Sequence, residues 1–396
     1  MSVARFDLAT PGDIRFGAGR VAEAPAALAA LGVTKVLLVT GANTARAEGL
    51  LAALAEAGLS THVASVPGEP SVDLIREGVA ELRAAGCDGV LGVGGGSTID
   101  AAKAFAALAA SGTDPLDHLE VVGAGRPLTT PSLPCVAVPT TAGTGSEVTK
   151  NSVLSADADS GPVKASLRSP LMLPRVAIVD PDLLAGLPIP VIAATGSDAL
   201  AQVIEPLLSS RATPITDALA REGIARSARS LEDACVHGLE GDDEAARRRR
   251  DDLALTSLFG GLCLANAGLG AVHGFAGVFG ARYDAPHGAV CGALLAASIA
   301  VNLEAARRRD PDHPLIDRIR EVAVLLTGEP DAAPEDAPAW LARLRAAVGV
   351  PTLSSYGLEP AHFPDLIAQS AQASSMKANP IALDDDELAA ILRQSL

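Results

Sequence analysis

Aromatic side chains are scarce in this chain: Phe, Tyr and Trp make up 3% of its 396 residues, with a single Trp. Its core must therefore be packed from Ala, Leu, Val and Ile. Basic charge is in deficit too. The formal net charge of −16 sets up a field that repels nucleic acid and anionic lipid, so neither is an expected partner. The run Arg247–Arg250 lies between acidic residues and reads as a solvated helix face. Five cysteines (Cys87, Cys135, Cys235, Cys263 and Cys291) are odd in number, widely spread and without a Cys-x-x-Cys pair. That pattern suits a reduced, cytoplasmic interior and not a disulfide framework. The start, Met1–Asp7, is read as lacking an apolar targeting segment. The uncharged run Gly288–Leu303 contains Ser298 and Asn302 and falls short of a membrane span, so a buried core helix is expected there.

What is present divides in two. In the first half, short apolar runs rich in β-branched residues (34–40, 61–66, 89–93, 135–138 and 176–179) alternate with Ala-rich amphipathic stretches (21–31, 50–57, 72–85 and 99–110). Such alternation predicts a parallel sheet with helices on both faces. Past Pro188 the β signal vanishes, and helical spacing predicts helices over 191–208, 215–237, 244–267, 289–308, 315–326, 337–347 and 387–396. The expected organisation is an α/β domain over 1–187 and an all-helical domain over 188–396, with a small-molecule site in a cleft between them.

Histidine is rare, seven in all, yet His273 and His287 fall fourteen residues apart in a stretch rich in Gly, Ala, Val and Phe. Two readings stand at this point: a pair gripping one metal ion, or two separate imidazoles each satisfied by a backbone carbonyl. Phe275, Phe279 and Tyr283 read as helical core packing, and His62, His118, His237, His313 and His362 as surface residues. The stretch 89–100 is a strand, a glycine cluster and a helix start, with Ser97 and Asp100 in a capping pattern. Gly94, Gly95, Gly96 and Ser97 form either an anion-binding helix start or a plain tight turn. Residues 139–149, PTTAGTGSEVT, crowd hydroxyls and glycines behind another strand, which suits a pyrophosphate or ribose; a polar surface loop is the alternative. Gly17–Ala22 loosely matches a dinucleotide fingerprint but lacks the acidic residue about 20 positions on, and is read as a turn.

Taken in order, GGGSTIDAAK (94–103), PTTAGTGSEVT (139–149), VAIVDPDLLAGLP (176–188), ATGSDALAQVIEP (194–206) and HGFAGVFGARYDAPHG (273–288) resemble the iron-containing (group III) alcohol dehydrogenases. The resemblance implies an N-terminal dinucleotide-binding α/β domain, a C-terminal helical domain, NAD or NADP as cofactor, and a homodimer. It implies a divalent metal, Fe2+ or Zn2+, on Asp198, His273 and His287. Where the family has a further His, four after the Asp, this chain has Gln202, a neutral and weaker ligand. Gly277 replaces another family His, so proton relay there falls to solvent or a ribose hydroxyl. Gly41 stands where NAD-selective members carry an Asp, which removes repulsion of a 2′-phosphate, and Arg46 lies close by in sequence. Lys164 falls where the family has a cofactor-contacting lysine.

The expected reaction is hydride transfer between a nicotinamide and a small alcohol or aldehyde, the metal acting as a Lewis acid on the substrate oxygen. Gly94–Ser97 are expected to cradle the pyrophosphate, and Thr140, Thr141, Thr144 and Thr149 to position the nicotinamide half. Two alternatives share the architecture: a metal-independent enzyme resembling maleylacetate reductase, and a lyase resembling dehydroquinate synthase.

Overall fold

The computed structural model describes residues 5–44, 48–158 and 161–396. Arg46, the proposed neighbour of a 2′-phosphate, lies outside them. The chain forms two compact units. One comprises Ala9–Thr141 and Gly145–Leu184; the other comprises Ala185–Leu396 with Ala142–Thr144 and the segment ending at Leu8.

The first unit is built on β1 (Asp13–Phe16), β2 (Lys35–Thr40), β3 (Ser60–Ser65), β4 (Gly89–Gly94), β5 (Cys135–Pro139) and β8 (Val176–Val179), in spatial order β3-β2-β4-β5-β8-β1 with every pairing parallel. Side chains alternate across a strand, and β2 illustrates the result. Leu37 and Val39 enter one apolar cluster with Ile75 and Phe105, while Val36 and Leu38 enter another with Leu28 and Leu54. Both faces are thus buried, as a parallel sheet requires. Helices α1 (Ala24–Ala30) and α2 (Glu48–Glu56) contribute to the second cluster, α3 (Val72–Ala85) and α4 (Gly96–Ser111) to the first; α5 (Pro115–His118) is a single turn.

From β2 the chain runs outward to β3, whereas from β4 it runs the other way to β5. The sheet therefore reverses direction between β2 and β4, and the crevice at their carboxyl ends is where open α/β sheets take ligands. Gly41 follows β2, and Gly95 follows β4.

Outside this sheet lies an antiparallel hairpin, β6 (Asn151–Ala158) and β7 (Gly161–Arg168), pairing Asn151 with Arg168 and Leu154 with Ala165. It was not foreseen from sequence. Its inward positions include Ser152 and Ala165 beside Leu154 and Leu167, so its alternation of apolar and polar residues is faint. Gly17–Ala22 is a turn, as expected: Asp180 accepts from the amides of Gly19 and Val21 at 3.0 and 2.9 Å.

The second unit is helical: α6 (Ile189–Leu208), α7 (Pro214–His237), α8 (Glu244–Ala267), α9 (Ala271–Tyr283), α10 (His287–Arg309), α11 (Pro314–Thr327), α12 (Asp336–Ala347), α13 (Phe363–Ser370) and α14 (Asp385–Gln394). Helix α6 is central, packed against α7, α8, α10 and α11. Two of these helices, α6 and α10, are long and apolar enough to cross a membrane. Here 83% and 78% of their most apolar windows are buried inside the protein, which accounts for their composition. Helix α9 has no span among the helices predicted above, although Phe275, Phe279 and Tyr283 read as helical packing; it carries Gly274, Gly277 and Gly280, which depress helix propensity. It meets α8 at a bend of 102°.

Two surface assignments are corrected. Arg247 and Arg248 are exposed, but Arg249 and Arg250 are buried, donating to the carbonyls of Gly238, Leu239 and Gly241 that close the α7–α8 connection. His118 is buried as well, held between the Thr113 hydroxyl and the Arg126 carbonyl, each at 2.7 Å.

Candidate functional site

In the helical unit, Asp198, His273, His287 and Cys291 converge so that one donor atom from each lies within 4.8 Å of all the others. Asp198 projects from the middle of α6, where it is buried. His273 sits in the first turn of α9, and His287 opens α10 with Cys291 one turn further along the same face. The seating of α10 on α6 depends on a glycine. A Cβ on Gly288 would stand 2.2 Å from the Ala194 carbonyl oxygen and 3.2 Å from the Asp198 Cβ. Only the bare backbone allows this approach, which brings His287 to Asp198.

The His273 Nε2 lies 3.1 Å from Asp198 Oδ1, and the His287 Nε2 lies 3.9 Å from the same oxygen. Glu205, two turns along α6 from Asp198, lies 2.6 Å from His273 Nδ1 and accepts the Val272 amide at 2.8 Å. A carboxylate on Nδ1 fixes the tautomer that turns the Nε2 lone pair toward the cluster, the usual support of a metal-ligating imidazole. Gln202 donates its amide nitrogen to Asp198 Oδ1 at 3.1 Å, and its carbonyl oxygen is buried with no hydrogen-bond partner.

Charge at this cluster is tightly balanced. Burial pushes the Asp198 carboxyl up, but His273, His287 and Gln202 outweigh it and hold the group below the ordinary range. Burial disfavours charge on His273, yet Cys291, Asp198 and Glu205 raise it well above the usual histidine value. The same holds for His287 through Cys291 and Asp198, against burial and repulsion from His273. The cluster therefore draws in positive charge, as protons or as a cation. Its hard oxygen, two imidazoles and a thiol suit a divalent transition metal. Sequence reasoning chose Asp198, His273 and His287 but passed over Cys291 and Glu205. Their spacing held the signal: Cys291 is four after His287, and Glu205 seven after Asp198, each on its neighbour's helix face.

In the sheet unit, the glycine cluster sits at the end of β4. Helix α4 begins at Gly96 with Gly95 as its N-cap, and no side chain caps it. This corrects the expected Ser97–Asp100 capping pattern: Asp100 instead accepts from the Ser146 hydroxyl and, at 2.8 Å, from the Val153 amide, and pairs with Lys103 at 3.0 Å. An uncapped helix start leaves its amides for an anion. A Cβ on Gly94 would stand 2.5 Å from Thr98 Oγ1, so helix and strand meet closely here.

Thr140 donates its amide to the Gly94 carbonyl at 2.9 Å, and Thr141 lies beside Gly95. Thr144 groups with the helical unit. Thr149 is buried, and its hydroxyl accepts from Lys103 at 2.9 Å, so it serves the loop's own structure. Lys103, fully buried, also donates to the Ser146 and Asn151 carbonyls. Lys164 on β7 is paired with Glu69 at 2.5 Å.

Comparison with known proteins agrees with this architecture. The family model described as iron-containing alcohol dehydrogenase matches residues 11–181, and that of the family's C-terminal part matches residues 192–396. The chain is 34% identical to a 1,3-propanediol dehydrogenase of Klebsiella pneumoniae over the full length of both. It is 31% identical to an NAD-dependent methanol dehydrogenase of Bacillus methanolicus, covering 96% of this chain and 97% of that one. A solved 1,3-propanediol oxidoreductase superposes with a TM-score of 0.89 at 32% identity, covering 99% of this chain and all of that one. Neither the metal-independent reductase nor the lyase reading is favoured by these relatives.

Proposed function

Because the chain belongs to the iron-containing alcohol dehydrogenase family, we propose that its helical unit performs the metal-assisted half of an alcohol–aldehyde interconversion on Asp198, His273 and His287, with Gln202 marginal, and that its sheet unit binds the dinucleotide. The chain is a nicotinamide-dependent oxidoreductase of small alcohols and their aldehydes or ketones. The observation that carries the site assignment is the convergence of those three side chains in a buried cluster whose first imidazole is braced by Glu205.

Asp198, His273 and His287 would hold a divalent cation, which would supply Lewis acidity at the substrate oxygen, and a bound nicotinamide would supply the hydride chemistry. The protein's own groups do the rest. Glu205 holds a proton on His273 Nδ1 and aims Nε2 at the cluster, so that Nε2 is the nitrogen that would exchange its proton for a cation, while Asp198 contributes the negative charge that a cation needs. His287, 34% exposed at its side chain, marks the side open to substrate. A Cβ at Gly277 would meet nothing within 4 Å; no side chain there relays the proton, which passes to solvent or to a ribose hydroxyl. In the sheet unit, Gly94–Ser97 would cradle the pyrophosphate at the uncapped start of α4, Thr140 and Thr141 would position the nicotinamide half, and Gly41 would leave room beside the ribose for NAD or NADP.

Short primary alcohols are the proposed substrates, in keeping with the propanediol and methanol named for the relatives. A cytoplasmic homodimer is the proposed working form; the unpaired cysteines support a reducing compartment. His273→Ala and His287→Ala should each abolish stoichiometric metal binding and lower turnover by more than about 100-fold, since removing a ligand costs more than removing its outer-shell partner. Elemental analysis with an aldehyde-reduction assay reads both. A variant that keeps its metal and its turnover contradicts the assignment.

A further inference from the structure

Cys291 has no part in the ligand set that the family resemblance implies, yet its sulfur lies among those ligands. It is completely buried, 3.6 Å from His287 Nε2 and 3.7 Å from His273 Nε2. With metal–nitrogen bonds of about 2.0 Å and metal–sulfur bonds of about 2.3 Å, the N···S edge of a tetrahedral site is about 3.5 Å. Both observed separations lie close to that edge. Position 202, meanwhile, cannot supply an imidazole, and Gln202 turns its NH2 group toward Asp198. Among the described residues, no other cysteine joins a cluster of this kind.

Resting on the reading of Asp198, His273 and His287 as metal ligands, we propose that Cys291 is the fourth protein ligand, its thiolate standing in for the imidazole absent at position 202. As the sulfur–metal bond forms, the thiol proton leaves to solvent. Carboxylate and thiolate together balance the charge of a dication, and the resulting O, N, N, S set suits a thiophilic ion such as zinc. The helix makes the exchange simple: His287 and Cys291 stand one turn apart on α10, as Asp198 and Gln202 do on α6.

Cobalt(II) substitution tests this without recourse to turnover. The metal-stripped full-length protein is loaded with Co2+ and its absorption spectrum recorded. The expected result is one bound cobalt per chain with a near-ultraviolet thiolate-to-cobalt charge-transfer band, lost in Cys291→Ser while cobalt remains bound. Cobalt bound without that band overturns the Cys291 assignment and leaves the Asp198–His273–His287 site intact. A band that persists in Cys291→Ser also overturns it. Failure to bind cobalt at all overturns both readings. Should Cys291→Ser not fold, X-ray absorption on the zinc-loaded wild-type protein decides: one sulfur at about 2.3 Å is expected, and a shell of nitrogen and oxygen alone is contrary.

Discussion

Glu147, fully buried in the loop after β5, has its carboxyl pushed up to about 7 by burial, against the pull of its own backbone amide and of Lys103. Between about 4.5 and about 7 the folded protein keeps a proton that the unfolded chain has already lost. Stability from this group is therefore fully present below pH 4.5 and declines as pH rises through about 7, by up to about 3 kcal/mol. Glu147→Gln should flatten that part of the profile and unfold at higher urea than wild type at pH 8; equal midpoints there contradict the account. A second prediction concerns Gly41. A Cβ there meets only Thr98 Oγ1 at 3.7 Å, so an aspartate fits. Gly41→Asp should leave NADH-dependent turnover within a few-fold but lower NADPH-dependent kcat/KM by about 10-fold or more, through like-charge repulsion of the 2′-phosphate. Strict NAD selectivity in the unaltered protein removes the premise. At this scale, what the sequence revealed followed chemical rarity. His273 and His287 stood out against glycine and alanine, whereas Cys291 and Glu205 resembled ordinary core and surface residues until the helices brought them in. Ser97 gave a misleading capping signal because Asp100 three residues on is engaged by the loop 146–153.

Among the elements, α6 and α10 decide whether a site exists at all. Their contact passes through Gly288 against Ala194 and Gly292 against Ser197, where a Cβ would stand 2.9 Å from the Ser197 Cβ. Gly288→Ala drives a methyl group into the Ala194 carbonyl, which must part the helices and pull His287 and Cys291 away from Asp198. Overpacking of this kind costs typically 1–3 kcal/mol; with a rigid backbone atom as the obstacle, about 3 kcal/mol is expected, along with loss of metal binding. Thermal unfolding and metal content measure the two effects, and a variant as stable and as metal-loaded as wild type contradicts the packing argument. The parallel strands and long helices were legible because their apolar periods are strong, as in β2, whose neighbouring residues enter opposite cores. The β6–β7 hairpin and α9 were not, for the opposite reason. Serine and alanine blur the alternation in one, and glycine at every third position weakens the helical signal in the other, although tertiary packing sustains both.

For the molecule as a whole, the division of labour follows from composition. A net charge of −16 stands against polyanionic partners, and the long apolar helices that resemble membrane spans instead form the interior of the helical unit. That interior holds two carboxylates, Asp198 and Glu205, and two imidazoles whose buried charges protons or a cation can balance. The most direct measurement is turnover with a small aldehyde in chelator-stripped protein, titrated with zinc or ferrous iron under anaerobic conditions. Turnover is expected to be absent before addition and to rise to a plateau at one cation per chain, with reduced nicotinamide consumed in step. Full turnover in protein holding less than about a tenth of an equivalent of metal would contradict it, because a catalytic cation must be bound in every active molecule.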